Sequence, residues 1–194
     1  MKRLLLPALC VAALSSCIGI QSQISLDRDG SGTVQLSYRI CQFLRDDPDL
    51  PLPASREDFR RAVAGAPGLR LEALSQREDE QDVTIEARLA FDRVEALNAL
   101  GGQLGLSYAA QGDSRVFRQR LYAGQPPGGL PEESLKMVET FFQSYEISLE
   151  LSSPVPISSC SLGQLSEDRR TLRYRTTIPE LLKHKDELAL EIIW

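Results

Sequence analysis

The 194-residue chain holds only one histidine, one tryptophan and four cysteines, and 6% of it is aromatic. A single histidine beside distant cysteines gives no zinc pattern, so no metal ligands are expected. Four cysteines are too few for a disulfide-dense mini-scaffold. Positive charge is scarce as well: 22 basic residues against 27 acidic ones leave no surplus to neutralise phosphates, which excludes nucleic acid as a partner. No glycine-rich phosphate loop follows a strand, and no Gly-x-Ser-x-Gly elbow is present. Neither a cofactor nor a catalytic residue is therefore expected. What is present suits an ordinary folded chain. With 42% hydrophobic and 25% charged residues, it can bury enough surface to fold as one domain or at most two.

The N-terminus is the most informative segment. Lys2 and Arg3 form a positive region, and Leu4, Leu5, Leu6, Ala8, Leu9, Val11, Ala12, Ala13 and Leu14 follow as an apolar stretch. This stretch is shorter than the roughly 20 residues that cross a bilayer, so it reads as a signal segment and not a membrane helix. It ends in Leu14-Ser15-Ser16-Cys17, small residues leading into a cysteine. The pattern resembles the lipobox of bacterial lipoproteins. That resemblance implies cleavage before Cys17, a diacylglyceryl group on its sulfur and acylation of its new α-amine. Residues 1–16 are then a signal peptide, and residues 17–194 an ectodomain on a short N-terminal tether. An ordinary secretory peptide with Cys17 incidental is the blander alternative.

Each buried methylene is worth about 0.8 kcal/mol, so two or more chains on Cys17 would hold the protein on a membrane. Lys2 and Arg3 leave with the signal, which lowers the net charge from −5 by two. An acidic domain gains nothing from an anionic lipid surface, so the acyl chains must do the anchoring. Cys17 is followed by Ile18 and Gly19, not by the Asp that retains enterobacterial lipoproteins in the inner membrane. This favours the periplasmic face of the outer membrane. Cys41 and Cys160 remain in the mature chain. They can pair, closing a loop of about 120 residues worth about 4–5 kcal/mol by chain entropy, or stay as two separate buried thiols.

Alternation marks strands over residues 20–27 and 33–40, joined by Asp29-Gly30-Ser31-Gly32. Ser55 opens a helix, with Asp58 three residues on and Phe59, Ala62, Val63 and Ala66 along one face. Residues 69–76 and 83–91 form a second hairpin around a charged turn. Asp92 caps a short helix ending at Leu100, and residues 114–122 form another strand. Pro131 starts a helix whose apolar face is Leu135, Val138, Phe141 and Phe142. Strands follow at 145–151, 170–178 and 188–194, with one helical turn at 179–184. Hairpins and short helices without long crossovers predict an α+β fold, a mostly antiparallel sheet with helices packed on one face.

Several local patterns call to mind known sites but lack essential parts. Asp27, Asp29, Ser31 and Gly32 match the first positions of a calcium loop, but position 12 is Tyr38, which offers no bidentate carboxylate. The expected structure is a hairpin turn. Gly112-Asp113-Ser114 resembles the GDS core of the GDSL hydrolases, yet His184 has Leu181 three residues before it, where that family has Asp. Glu78, Asp79, Glu80 and Asp82 read as a solvated turn. The apolar helical face at 135–142 is core, or else the lining of a groove for an acyl chain or a partner helix.

The turn from Asp27 to Val34, the run from Ile147 to Ile157 and the segment from Leu165 to Tyr174 together resemble the LppM-type lipoprotein domain family. The resemblance implies an envelope α+β ectodomain with lipid handling among its expected roles, and it carries over no catalytic residue. The expectation is a lipid-anchored, non-enzymatic envelope lipoprotein that binds a lipid or an envelope protein. An envelope enzyme or its accessory subunit, and a surface-exposed interaction protein, are the alternatives.

Overall fold

The computed structural model describes residues 18–42, 52–53, 55–80, 82–100, 105–112, 114–126, 129–143 and 145–194. Cys17, the expected site of lipid attachment, lies outside them. The first strand, β1 (Ile18–Leu26), pairs antiparallel with β2 (Gly32–Cys41) through the expected hairpin. A second hairpin, β3 (Leu69–Glu78) with β4 (Asp82–Phe91), docks on it because β2 and β4 pair along ten residues, from Gly32↔Phe91 to Cys41↔Asp82. Between the hairpins lies helix α1 (Arg56–Ala64). Its Ser55 cap accepts the Asp58 N–H at 3.2 Å, as the capping pattern predicts.

Asp92 does not cap an α-helix. Residues Val94–Leu100 form a 3-10 helix, while the Asp92 N–H donates to the Gly68 carbonyl at 2.8 Å and its carboxylate meets Arg70 Nη1 at 2.6 Å. Two strands follow, β5 (Leu106–Gln111) and β6 (Ser114–Tyr122). The sequence predicts no element over residues 106–111, although Leu106 and Tyr108 alternate and are buried. Helix α2 (Glu132–Phe141) then leads to β7 (Glu146–Ser152). Two brief bridges, β8 (Ser159–Cys160) and β9 (Gln164–Leu165), precede β10 (Thr171–Thr177), α3 (Ile178–Leu182) and β11 (Leu188–Ile193).

The α+β class stands, with one refinement: among the described residues the strands make two sheets, not one. The larger runs β3-β4-β2-β1-β7-β10-β9, and the smaller β5-β6-β11-β8. All pairings are antiparallel except β1 with β7, which run parallel from Ile20↔Ile147 to Ser25↔Ser152. One buried cluster joins Val34, Leu36, Tyr38, Ile85, Leu89, Leu149 and Leu151 of the larger sheet to Phe117, Leu190 and Ile192 of the smaller. Phe59, Leu97, Val138 and Leu181 of the helices enter the same cluster, and the Phe59 ring stacks on Tyr38 at 6.4 Å between centroids. Burial of this apolar surface, at about 25 cal/mol per Å², is the main force holding the layers together. The other face of the larger sheet is left in water.

Candidate functional site

Strand alternation builds that open face. Each strand of the larger sheet sends every second side chain to the core, so the residues between them line the outer face. Register aligns these into rows across the strands. One row reads Arg88, Gln35, Gln23, Glu150 and Arg173; the next reads Ser75, Glu86, Ser37, Gln21, Ser148 and Arg175. Neutral amides and hydroxyls occupy the middle and charges lie toward the sides. No large apolar side chain stands in either row.

The charges on this face are matched locally. Arg173 Nε lies 2.8 Å from Glu150 Oε2, Arg88 Nε 3.0 Å from Glu72 Oε2, and Arg77 Nη2 3.2 Å from Glu86 Oε1. Such exposed pairs contribute little to stability, a median of about 0–1 kcal/mol each. Their effect is a surface with low net charge and many hydrogen-bonding groups. Gln21, Gln23, Ser148, Glu150, Gln164, Arg173 and Arg175 surround a shallow depression of about 650 Å³ where the short β9 edge rises beside β10. Positive φ at Gly163 (89°) turns the chain into that edge, and an added Cβ would sit 2.6 Å from the Arg173 carbonyl oxygen.

A second cluster closes one end of the same sheet. Tyr145 Oη donates to Asp82 Oδ1 at 2.7 Å, Arg39 Nε lies 3.3 Å from Asp82 Oδ2, and the Arg39 guanidinium sits 4.3 Å above the Tyr145 ring. Cys41 Sγ is 3.3 Å from Tyr145 Oη. Burial, aided by the Cys41 contact and the Asp82 carboxylate, raises the Tyr145 phenol well above its ordinary value. The buried Asp82 carboxylate thus has a hydrogen-bond donor on one oxygen and a guanidinium on the other, which offsets its desolvation. The arrangement ties β2 and β4 to the entrance of β7 across β1. Sequence alternation gave no signal for it, because Asp82 and Tyr145 are far apart in the chain.

The other sequence candidates are dispersed. Asp27–Gly32 closes as a hairpin turn: the Asp27 N–H donates to the Ser31 carbonyl at 2.8 Å, and Ser31 Oγ to Asp29 Oδ1 at 2.7 Å. The Ser31 hydroxyl, together with the Ser31 N–H that donates to the same oxygen at 3.0 Å, holds the Asp29 carboxyl below its usual range. Gly112 and Ser114 belong to the β5–β6 turn, remote in sequence from His184, whose N–H donates to the Leu181 carbonyl at the end of α3. On α2, Val138 is buried and Leu135 half-buried, as is Phe142 just after the helix, so these three pack against the core and leave no open groove between them, while the Phe141 side chain lies outside the described residues. Met137 on the same helix is exposed.

The sequence leaves two alternatives for Cys41 and Cys160, a mutual bridge or two separate thiols, and the structure records no disulfide between them. Cys41 ends β2 in the larger sheet with its thiol against Tyr145, whereas Cys160 lies on β8 of the smaller sheet, paired with Ile192.

No family model matches the chain, and no curated protein does. Among solved structures, the chain is similar to the folded domain of the LppM protein of Mycobacterium tuberculosis, determined by NMR. The identity is 11% and the TM-score 0.49, over 92% of this chain and 89% of that one. A further similarity, at 14% identity and TM-score 0.34, is to an aminopeptidase N family protein from Idiomarina loihiensis; it covers 89% of this chain but only 29% of that enzyme.

Proposed function

We propose that the chain is a bacterial envelope lipoprotein, anchored through acyl chains on Cys17, whose domain is a non-enzymatic binding module for an envelope protein. The outer membrane, periplasmic face, is the favoured location. The observation that carries the binding role is the open face of the seven-stranded sheet, with Gln21, Gln23, Gln35, Ser37 and Ser148 along its centre and arginine–carboxylate pairs around them. Such a surface offers directional hydrogen bonds and local charges of both signs, which suit the polar surface of another protein. A lipid tail would gain nothing from it, so of the two ligand classes the protein partner is favoured.

Two experiments on the full-length chain test this. In Cys17→Ser the hydroxyl cannot take the glyceryl thioether, and the product should leave the membrane fraction with its leader uncut. Membrane-bound Cys17→Ser at the mature mass would overturn the anchor. For the binding role, a photo-crosslinking amino acid is placed at Gln23 or Ser148, with Arg118 on the smaller sheet as the reference. The first two positions should give one discrete protein adduct in growing cells, and Arg118 should not. Equal labelling from all three would remove the sheet face as the contact surface, and an adduct of lipid mass would turn the reading to a lipid ligand.

A further inference from the structure

β1 opens at Ile18, the residue directly after Cys17. It is in register with β2 from its first residue, Ile18↔Ile40, and with β7 from Ile20↔Ile147. The short tether expected from the sequence therefore has no residues left to form it. Resting on the lipoprotein reading of Cys17, we infer that the domain stands end-on upon a zwitterionic, phosphatidylethanolamine-rich bilayer. The end of the larger sheet where β1, β4 and β7 begin faces the headgroups.

The argument is covalent first. Acyl chains in the hydrocarbon hold Cys17 at the interface, and consecutive Cα atoms are about 3.8 Å apart, so Ile18 is held at that level too. The register carries other strand ends with it: Cys41 at the end of β2, Glu78 and Asp82 around the β3–β4 turn, Glu146 opening β7, and Thr177 closing β10 against Glu146. The Tyr145–Asp82–Arg39 cluster binds these ends into one unit. At about 3.3 Å per residue, the nine residues of β1 span about 26 Å, so the Asp27–Gly32 turn lies far from the anchor.

Charge selects the lipid. The presented end carries exposed Glu78, Asp79, Glu80 and Gln143 and half-buried Gln42, while the arginines nearest it, Arg39 and Arg77, are bound to Asp82 and Glu86, so the charge left toward the bilayer is acidic. Carboxylates are repelled by an anionic leaflet, whereas the ammonium groups of phosphatidylethanolamine donate to them. In this posture the polar face of the larger sheet runs along the membrane normal, open to a partner approaching from the side.

The test uses full-length, lipidated protein purified from envelopes and reconstituted into phosphatidylethanolamine–phosphatidylcholine vesicles that contain a nitroxide-headgroup lipid. A fluorescent amino acid is placed at Glu80 or Gln143 at the presented end, or at Arg28 or Glu167 at the opposite end. The first two should lose more than half of their emission, and the last two almost none. A flexible Gly-Ser spacer inserted between Cys17 and Ile18 should abolish the difference. Equal quenching at both ends, or stronger quenching at Arg28 and Glu167, would refute the end-on posture while leaving the anchor intact. Failure of the protein to float with the vesicles would instead refute the anchor, and this posture with it.

Discussion

Tyr145 illustrates what a single residue gains from tertiary context. All five tyrosines of the chain are pushed above their ordinary phenol value, chiefly by burial, and Tyr38 and Tyr145 the furthest. Tyr38 donates to the Pro53 carbonyl, and the Asp58 carboxylate adds to its shift. A raised phenol stabilises the fold fully below the unfolded value of about 10 and loses that contribution as pH rises through the folded value. An ultraviolet titration should therefore show Tyr38 and Tyr145 still protonated above pH about 10 while the protein remains folded, and ionising together with unfolding. A Tyr145→Phe difference titration assigns the signal; Tyr145 ionising near its ordinary value in folded protein would contradict it. The alternation around Tyr38 was visible in the sequence. Its link to Pro53, and that of Tyr145 to Asp82, were not, because nothing local specifies which distant side chain a buried hydroxyl will meet.

Among the elements, the two hairpins and the capped helix α1 were legible because their cues are local: period-two alternation, turn residues and a Ser–Asp cap. Gly32 shows how that legibility ends. It sits where β1, β2 and β4 converge, and an added Cβ would lie 2.0 Å from the Ser25 carbonyl oxygen and 2.6 Å from Phe91 Cζ. Gly30, two residues earlier, has φ of 87° and open space around it. Gly32→Ala should cost about 3 kcal/mol through forced displacement of strand and ring. Gly30→Ala should cost about 1–2 kcal/mol, from the left-handed backbone alone. Urea unfolding of the two variants checks the ranking, and equal losses would show that the β1–β2–β4 junction is looser than described. Strand β5 and the bridges β8 and β9 carry no such cue. Leu106 and Tyr108 alternate too briefly, and a two-residue bridge is defined by its partner, not by its own residues.

On the scale of the whole molecule, two layers share one core and leave one sheet face wet. This division puts Cys41 and Cys160 on different sheets. Peptide mapping of envelope-purified protein without reduction should find no linked peptide joining residues 41 and 160, and reductant should leave the urea midpoint unchanged. A linked peptide would show that the two thiols meet across the sheets. The open face itself was half legible. Alternation identified which residues point away from the core, but Gln35, Gln23 and Glu150 become neighbours only when β7 pairs with β1 in parallel.

The sequence alone determined the leader-like N-terminus, the acidic balance, the α+β class and the hairpins, since each depends on residues close together in the chain. The tertiary structure decided that among the described residues there are two sheets, that β1 already begins at Ile18, and that the polar rows and the Tyr145 cluster exist at all. Those features depend on strand order and register. Both are set by the collective burial of side chains from distant segments, which no short window of sequence contains.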